Sequence, residues 1–129
     1  MPPRHILITG ASSGIGLLTA IELARGGNRV VATMRDLARR TRLDEAAQRA
    51  GVAGQLDIRR LDITETNTIP ELVEGLVRDY GRIDVLVNNA GFAMAGFVED
   101  LRLAEIRQQF DTNFFGHVAM TKAVLPLMR

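Results

Sequence analysis

The sequence predicts an α/β fold built on one parallel sheet, on the basis of two observations. Apolar runs of strand length alternate with helical patterns four times along the 129 residues, which is typical of parallel strands joined by right-handed helical crossovers. The first strand leads into its helix through a glycine-rich stretch, Thr9-Gly10-Ala11-Ser12-Ser13-Gly14-Ile15-Gly16. Such a turn at the first crossover is typical of a doubly wound sheet, for which the expected strand order is 3-2-1-4.

The composition is that of a soluble globular protein, and the chain is long enough for one domain over residues 1–129. It is 47% hydrophobic and 24% charged, with a net charge of +1 and no cysteine. This balance predicts neither nucleic acid nor a membrane surface as a partner, and the lack of cysteine excludes disulfides. No signal-peptide pattern or membrane-spanning apolar run is present, so we expect a cytoplasmic protein.

The first half of the chain contains three strand patterns and two helix patterns. The predicted strands cover residues 4–9, 29–34 and 55–61. The third alternates apolar and polar residues, which favours an edge position. A helix is predicted from Gly14 to about Arg25, with Ile15, Leu18 and Ala24 facing inward. Asp36 is the expected N-cap of a second, surface helix that runs to about residue 50.

The second half contains two helix patterns around one strand. Residues 64–80 carry apolar side chains at helical spacing, with Pro70 in the first turns, where a missing N–H is tolerated. Residues 83–87 read as the fourth strand and residues 91–100 as a loop. Residues 101–129 predict one long helix, in which Pro126 kinks or frays the end.

The glycine-rich stretch is the first candidate binding site. Gly10 can adopt a conformation that other residues disfavour, while Gly14 and Gly16 remove side chains that would block close approach. The helix that follows begins with unpaired N–H groups and the positive end of its dipole, which together suit a pyrophosphate. We interpret the stretch as the dinucleotide loop of a Rossmann-type fold. The alternative is that these glycines only make a tight turn.

Arg35 indicates which dinucleotide is expected. It directly follows the second strand, where the adenosine ribose would lie. An acidic residue there would hydrogen-bond the 2′-hydroxyl of NAD, whereas a guanidinium suits the 2′-phosphate of NADP. Residue 35 therefore favours NADP(H) over NAD(H). Asp36 is one position later and fits better as a helix cap; the alternative for Arg35 is a solvated surface arginine.

Further polar residues follow the third and fourth strands. Asp62 is placed either to accept a hydrogen bond from an adenine amino group or simply to begin a loop. The sequence Asn88-Asn89-Ala90-Gly91 ends the fourth strand, and its small residues would allow close approach to a nucleotide. Asn113 and Gly116 are poor mid-helix residues, and such departures often mark a functional site or a kink.

Two other groups of residues favour structural roles. His5 and His117 are isolated and have no companion ligands, so no metal site is predicted. The arginines within residues 39–42 lack interleaved aromatic side chains, which favours a solvated helix face over a nucleic-acid site.

Taken together, the motifs resemble the short-chain dehydrogenase/reductase family over essentially the whole chain. They are Thr9-Gly10-x-x-x-Gly14-x-Gly16, Asp62-Ile63, Asn88-Asn89-Ala90-Gly91 and Asp111-Thr112-Asn113-Phe114-Phe115-Gly116. The resemblance implies NADP-dependent hydride transfer between an alcohol and a carbonyl. Residues 32–37 are similar to the 17β-hydroxysteroid dehydrogenase branch, which points toward hydroxysteroids or retinoids without assigning a substrate.

The resemblance also implies roles for individual residues. Ser12 and Arg35 would hold the 2′-phosphate of NADP. Asn113 would hold a water molecule in a proton relay. The remaining cofactor contacts would border the pyrophosphate, the adenine or the end of the fourth strand, and they are Gly10, Ser13, Gly14, Ile15, Gly16, Asp62, Ile63, Asn89, Ala90 and Gly91.

The chain departs from the family pattern in its catalytic residues. The family uses a serine on a fifth strand and a Tyr-x-x-x-Lys pair on the next helix, in which the tyrosine is the general acid and base. Here the one tyrosine is Tyr80, the one lysine is Lys122, and Asp84 stands four residues after the tyrosine. We therefore expect an NADP(H)-binding portion, truncated before the fifth strand, that is inactive alone.

A fold that stops at this point would leave its fourth strand as an exposed apolar edge. We therefore expect a homo-oligomer or a second chain that supplies the missing half. The alternative is a protein of another class, a non-enzymatic nucleotide-binding module or assembly partner that is complete at 129 residues.

Overall fold

The computed structural model describes residues 2–129 and contains one parallel sheet. Its four strands are His5–Ile8 (β1), Arg29–Met34 (β2), Leu56–Arg60 (β3) and Val85–Val87 (β4). Their order is β3-β2-β1-β4, and all three neighbouring pairs are parallel. The predicted α/β class, the doubly wound Rossmann-type order and the edge position of the third strand are confirmed.

Five α-helices connect and follow the strands. They are Gly14–Arg25 (α1), Thr41–Ala50 (α2), Ile69–Tyr80 (α3), Leu103–Phe110 (α4) and His117–Met128 (α5). A π-helical segment, Asp111–Gly116, joins α4 to α5. The long final helix was therefore predicted in the correct place, but it changes winding in its middle. Within that segment Gly116 packs against Ile63, whose Cδ1 would lie only 2.7 Å from a Cβ at position 116.

The sheet is covered on both faces, which makes three layers. On one face α1 and α2 bury an apolar cluster centred on Ile8, Val30 and Leu43. On the other face α3 and α5 bury a second cluster around Leu7, Leu76 and Met120. Adjacent residues of β1, Leu7 and Ile8, thus serve opposite cores, as alternating side chains of a strand should.

Two details of the predicted helices were wrong. Ile15 and Leu18 do not face inward, since their side chains are 77% and 65% exposed. Residues with small side chains allow α1 to approach the sheet closely, and its buried residues are Gly16, Ala20, Ile21 and Ala24. Asp36 does not cap the second helix; its carboxylate accepts from the Ala38 N–H and caps a short 3₁₀ turn before α2.

Tyr80 forms a structural link between α3 and β3. Its hydroxyl donates to Asp57, which also accepts from Arg59 Nη2 at 2.8 Å. Burial alone would raise the pKa of Asp57, but hydrogen bonds from Arg59 and Tyr80 outweigh it and hold that pKa below its usual range. Burial and the bond to Asp57 raise the pKa of Tyr80, so this hydroxyl stays protonated at neutral pH.

The last part of the chain exposes large apolar side chains. Phe110, Phe114 and Phe115 are each more than half exposed, and Leu125 is 50% exposed. In the sheet, β4 pairs with β1 alone among the described strands, and its other edge is open. Of the helices in residues 2–129, none combines the length and the apolar character that crossing a membrane requires.

Candidate nucleotide-binding site

A cavity of about 430 Å³ lies at the carboxyl ends of the strands. The loops that follow all four strands contribute to it, because parallel strands end at the same edge of the sheet. Ten of the thirteen site residues predicted from the sequence line it, and they are Gly10, Ser12, Ser13, Ile15, Gly16, Arg35, Ile63, Asn89, Ala90 and Gly91. The other three, Gly14, Asp62 and Asn113, lie near the cavity wall without lining it.

The glycine-rich stretch makes the sharp turn from β1 into α1. Gly10 and Gly14 have φ angles of +69° and +58°, values that residues with a side chain rarely adopt. Gly16 has an ordinary φ but no space for a side chain, because a Cβ there would overlap the carbonyl oxygen of Gly10 and Nδ2 of Asn89. The turn therefore needs glycine for its conformation at two positions and for close packing at the third.

Thr9 and Asn89 connect this turn to the end of β4. Thr9 is fully buried, and its Oγ1 accepts from the backbone N–H groups of Asn89 at 3.1 Å and Ala90 at 3.0 Å. In return, Nδ2 of Asn89 donates to the carbonyl oxygens of Thr9 and Gly10, at 3.2 and 3.0 Å. The two loops that would flank a bound nucleotide are thus held together by four hydrogen bonds between side chain and backbone.

Arg35 lines the cavity at the end of β2, as expected from its place in the sequence. The neighbouring carboxylate of Asp36 accepts from the Ala38 N–H at 3.0 Å. In the part of the chain that the structure describes, no carboxylate lies within salt-bridge distance of the Arg35 guanidinium. This side of the cavity therefore presents an uncompensated positive charge.

The end of β3 contributes an apolar wall. Leu61 and Ile63 are buried and line the cavity. Asp62, between them, instead turns its Oδ1 toward Thr64, from which it accepts two hydrogen bonds, from the N–H at 3.0 Å and from Oγ1 at 2.7 Å. Its second carboxylate oxygen, Oδ2, takes part in neither bond.

Asn113 and His117 fix the chain that follows β4. The Asn113 side chain donates to the carbonyl oxygen of Phe92 at 2.7 Å and accepts from the N–H of the same residue at 3.0 Å. One turn later, Nε2 of His117 lies 2.6 Å from the carbonyl oxygen of Ala90 and donates to it. Phe92 and Ala90 both line the cavity, so the π-helical segment and the start of α5 position its wall.

Sequence reasoning missed several residues of the site. Thr9 was recognised only as part of the glycine-rich stretch, and nothing in its local pattern indicates the two N–H groups that it satisfies. Arg39 was interpreted as part of a solvated helix face, yet it lines the cavity. The remaining additions are apolar or small residues from several loops: Met34, Leu61, Phe92 and Thr112.

The one tyrosine and the one lysine of the chain lie elsewhere. Tyr80 bonds to Asp57, and its ring packs against His5 and Arg29, which begin β1 and β2. Lys122 lines a separate surface depression with Asp111, Phe115 and others. Neither residue is among those that line the cavity.

The chain is similar in sequence and in fold to known dehydrogenases and reductases. Human retinol dehydrogenase 8 is 44% identical over 130 residues, an alignment that covers 98% of this chain and 40% of that protein. The solved structure of a metagenomic short-chain oxidoreductase in complex with NADP has a TM-score of 0.87 and 30% identity, and the match covers 97% of this chain and 56% of that one. An NADH-dependent reductase complexed with NAD has a TM-score of 0.81 and 37% identity, with coverage of 97% and 52%.

This chain therefore spans less than half the length of retinol dehydrogenase 8. The family model for short chain dehydrogenases matches residues 4–129, which is nearly the whole chain. With the 3-2-1-4 sheet and the glycine-rich turn at its first crossover, the match shows that the chain belongs to the short-chain dehydrogenase family.

Proposed function

We propose that this chain is the NADP(H)-binding portion of a short-chain dehydrogenase that transfers hydride between the nicotinamide and an alcohol or carbonyl. The observation that carries this proposal is the cavity at the carboxyl ends of the strands, with the glycine-rich turn at its centre and Arg35 on its wall. In doubly wound folds, ligands bind at this edge, where the order of the strands reverses. When bound, the nicotinamide cofactor supplies or accepts the hydride.

The proposal assigns each part of the cavity to a part of the cofactor. The glycine-rich turn, with Ser13 and Ile15, would bind the pyrophosphate at the N-terminus of α1. Ile63 and the free Oδ2 of Asp62 would border the adenine. Close approach to the rest of the nucleotide would involve the small or amide residues after β4, which are Asn89, Ala90 and Gly91. The small side chains of the glycine-rich turn and of the loop after β4 support this assignment.

The preference for NADP(H) over NAD(H) rests on Arg35 together with Ser12. Related structures carry either cofactor, since one is in complex with NADP and another is complexed with NAD. Membership of the family alone therefore does not decide between the two cofactors. Arg35 lines the cavity, and a planar guanidinium can donate two parallel hydrogen bonds to a phosphate.

Arg35→Ala tests the cofactor preference. We expect the Kd for NADPH to rise about tenfold to hundredfold, because a charge-assisted hydrogen bond contributes about 1.5–3 kcal/mol. The Kd for NADH should change less than about twofold, because NADH has no phosphate at this position. The measurement is a titration of nucleotide fluorescence. Arg49→Ala, an exposed change at the far end of α2, is the control; equal losses for both nucleotides would contradict the role of Arg35.

The chemical step requires groups beyond those in the cavity. Asn113 is proposed to hold a water molecule in the proton relay, although both ends of its amide also bond to Phe92. Within residues 2–129, no tyrosine or lysine lines the cavity, so the cavity provides no general acid for the carbonyl oxygen. We propose that the remaining groups, a serine and a Tyr-x-x-x-Lys pair, come from additional sequence or from another chain.

The isolated 129-residue chain is therefore expected to bind NADPH without oxidising it. A panel of ketones and aldehydes should give no decrease in absorbance at the nicotinamide band above the rate without protein. Nucleotide fluorescence on the same sample is the control, since it shows that the cofactor site is folded. Carbonyl-dependent NADPH oxidation by this chain would refute the assignment of the catalytic groups to other sequence.

We also propose that the open edge of β4 and the exposed apolar side chains of residues 110–128 are covered in the functional protein. Phe114 and Phe115 are each more than half exposed, and one edge of β4 is open in the described part of the chain. An apolar strand edge of this kind is prone to pair with another chain. A second copy of this chain, or a chain that supplies the catalytic half, would cover it.

A further inference from the structure

Arg39 lies on the wall between two adjoining cavities. It lines the main cavity together with Arg35. It also lines a second cavity of about 350 Å³, whose other lining residues are Ser12, Ser13, Thr41 and Arg42. Ser12 and Ser13 line both cavities as well. The shared wall thus combines a guanidinium with two hydroxyl groups, which are the donors that bind phosphate in proteins.

The Arg39 guanidinium has no carboxylate partner that would hold it elsewhere. Among residues 2–129, no carboxylate lies within salt-bridge distance of Arg39. The next residue is different, since Arg40 Nε donates to Asp44 at 2.8 Å and Arg40 lines neither cavity. The two adjacent arginines thus have different surroundings. Arg40 is paired with Asp44 of α2, whereas Arg39 lines the wall of the two cavities.

The backbone that carries Arg39 is held in place by a short 3₁₀ turn, Leu37–Arg39. Asp36 Oδ1 accepts from the Ala38 N–H at 3.0 Å, and the carbonyl oxygen of Asp36 accepts from the Arg39 N–H at 3.1 Å. The turn begins two residues after Arg35, and both Arg35 and Arg39 line the main cavity. The cap therefore explains why a residue four positions after Arg35 returns to the same cavity.

From this arrangement we infer that Arg39 is a second specificity-determining residue, which contacts the 2′-phosphate of NADP(H) together with Arg35. This inference rests on the proposed function of the cavity. A phosphate monoester carries nearly two negative charges at neutral pH, so one guanidinium leaves part of that charge uncompensated. Arg39 supplies the second positive charge, and the hydroxyls of Ser12 and Ser13 provide further donors.

The test compares Arg39→Ala with Arg40→Ala in the purified protein. Both variants remove one exposed arginine from the same segment, so general effects of charge are matched. Nucleotide fluorescence gives the Kd for NADPH and for NADH at two ionic strengths. Arg39→Ala should weaken NADPH binding about tenfold and NADH binding less than about twofold, while Arg40→Ala leaves both within about twofold. Arg39→Lys should recover part of the NADPH affinity, because it restores the charge without the planar fork.

The results separate this inference from the function on which it rests. If Arg39→Ala behaves like Arg40→Ala, or weakens both nucleotides equally, Arg39 does not recognise the 2′-phosphate, although the cavity can still bind NADP(H) through Arg35. If the unmodified protein binds neither nucleotide, the proposed function fails, and the role of Arg39 fails with it. Added salt should reduce the difference between the wild-type protein and Arg39→Ala for NADPH, because ions screen exposed charges.

Discussion

Gly16→Ala should destabilise the protein and weaken NADPH binding about tenfold or more. The added Cβ would overlap the Gly10 carbonyl oxygen, which is a backbone atom, and Asn89 Nδ2, which is held by hydrogen bonds to the carbonyl oxygens of Thr9 and Gly10. Overpacking of this kind typically costs about 1–3 kcal/mol, and alanine's better helix propensity offsets about 1 kcal/mol at most. We expect the free energy of unfolding to fall by about 2 kcal/mol, since Asn89 must also shift from its two carbonyl partners.

The matched control is Gly54→Ala. Among residues 2–129, no heavy atom would lie within 4 Å of a Cβ at position 54, and Gly54 has no positive φ angle, so the same chemical change meets open space. Chemical denaturation should show a change below about 0.5 kcal/mol for Gly54→Ala, as is usual for a surface substitution. Equal stabilities for the two variants would show that Gly16 of α1 is not in close contact with Gly10 and Asn89.

Thr9→Val should cost about 2 kcal/mol and should also weaken nucleotide binding. Valine has nearly the same shape as threonine but cannot accept hydrogen bonds, so the N–H groups of Asn89 and Ala90 lose their acceptor. Because these bonds join the glycine-rich turn to the end of β4, their loss should loosen the cavity wall as well as the fold. Thermal unfolding and NADPH titration measure the two effects.

Thr9→Ser distinguishes the contribution of the hydroxyl group from that of the methyl group. Serine keeps Oγ and should retain most of the NADPH affinity, while its missing methyl leaves a small void at a fully buried site. We expect a cost of about 1 kcal/mol in stability for that void. If Thr9→Ser impaired nucleotide binding as strongly as Thr9→Val, packing rather than hydrogen bonding would hold the two loops together.

Much of the fold could be predicted from the sequence because local patterns determine it. The alternation of apolar runs and helical patterns predicted four parallel strands, and the glycine-rich stretch at the first crossover predicted their order. The third strand's alternation of Leu56 and Ile58 with polar residues correctly indicated an edge. In each case the pattern that predicts the element is local in the sequence. Side chains alternate along a strand with a period of two, and alternating strands and helices form a parallel sheet.

The errors arose where distant residues decide the structure. Helical spacing cannot tell which side of α1 will meet the sheet, and small residues there allow an approach that leaves Ile15 exposed. Aspartate is a preferred N-cap residue, so the local sequence predicts that Asp36 caps α2. In the structure it instead caps a separate 3₁₀ turn before α2. The roles of Thr9 and Arg39 depend on loops brought together only by the folded sheet, so no local pattern indicates them.

The central claim is that the cavity binds a nicotinamide dinucleotide and recognises its 2′-phosphate. The most direct test is to titrate the unmodified protein with NADPH and with NADH at low ionic strength. The arrangement of Arg35 and Arg39 predicts that NADPH binds at least about tenfold more tightly than NADH, because charge-assisted hydrogen bonds to a phosphate are strong. Equal affinities, or tighter binding of NADH, would contradict the claim.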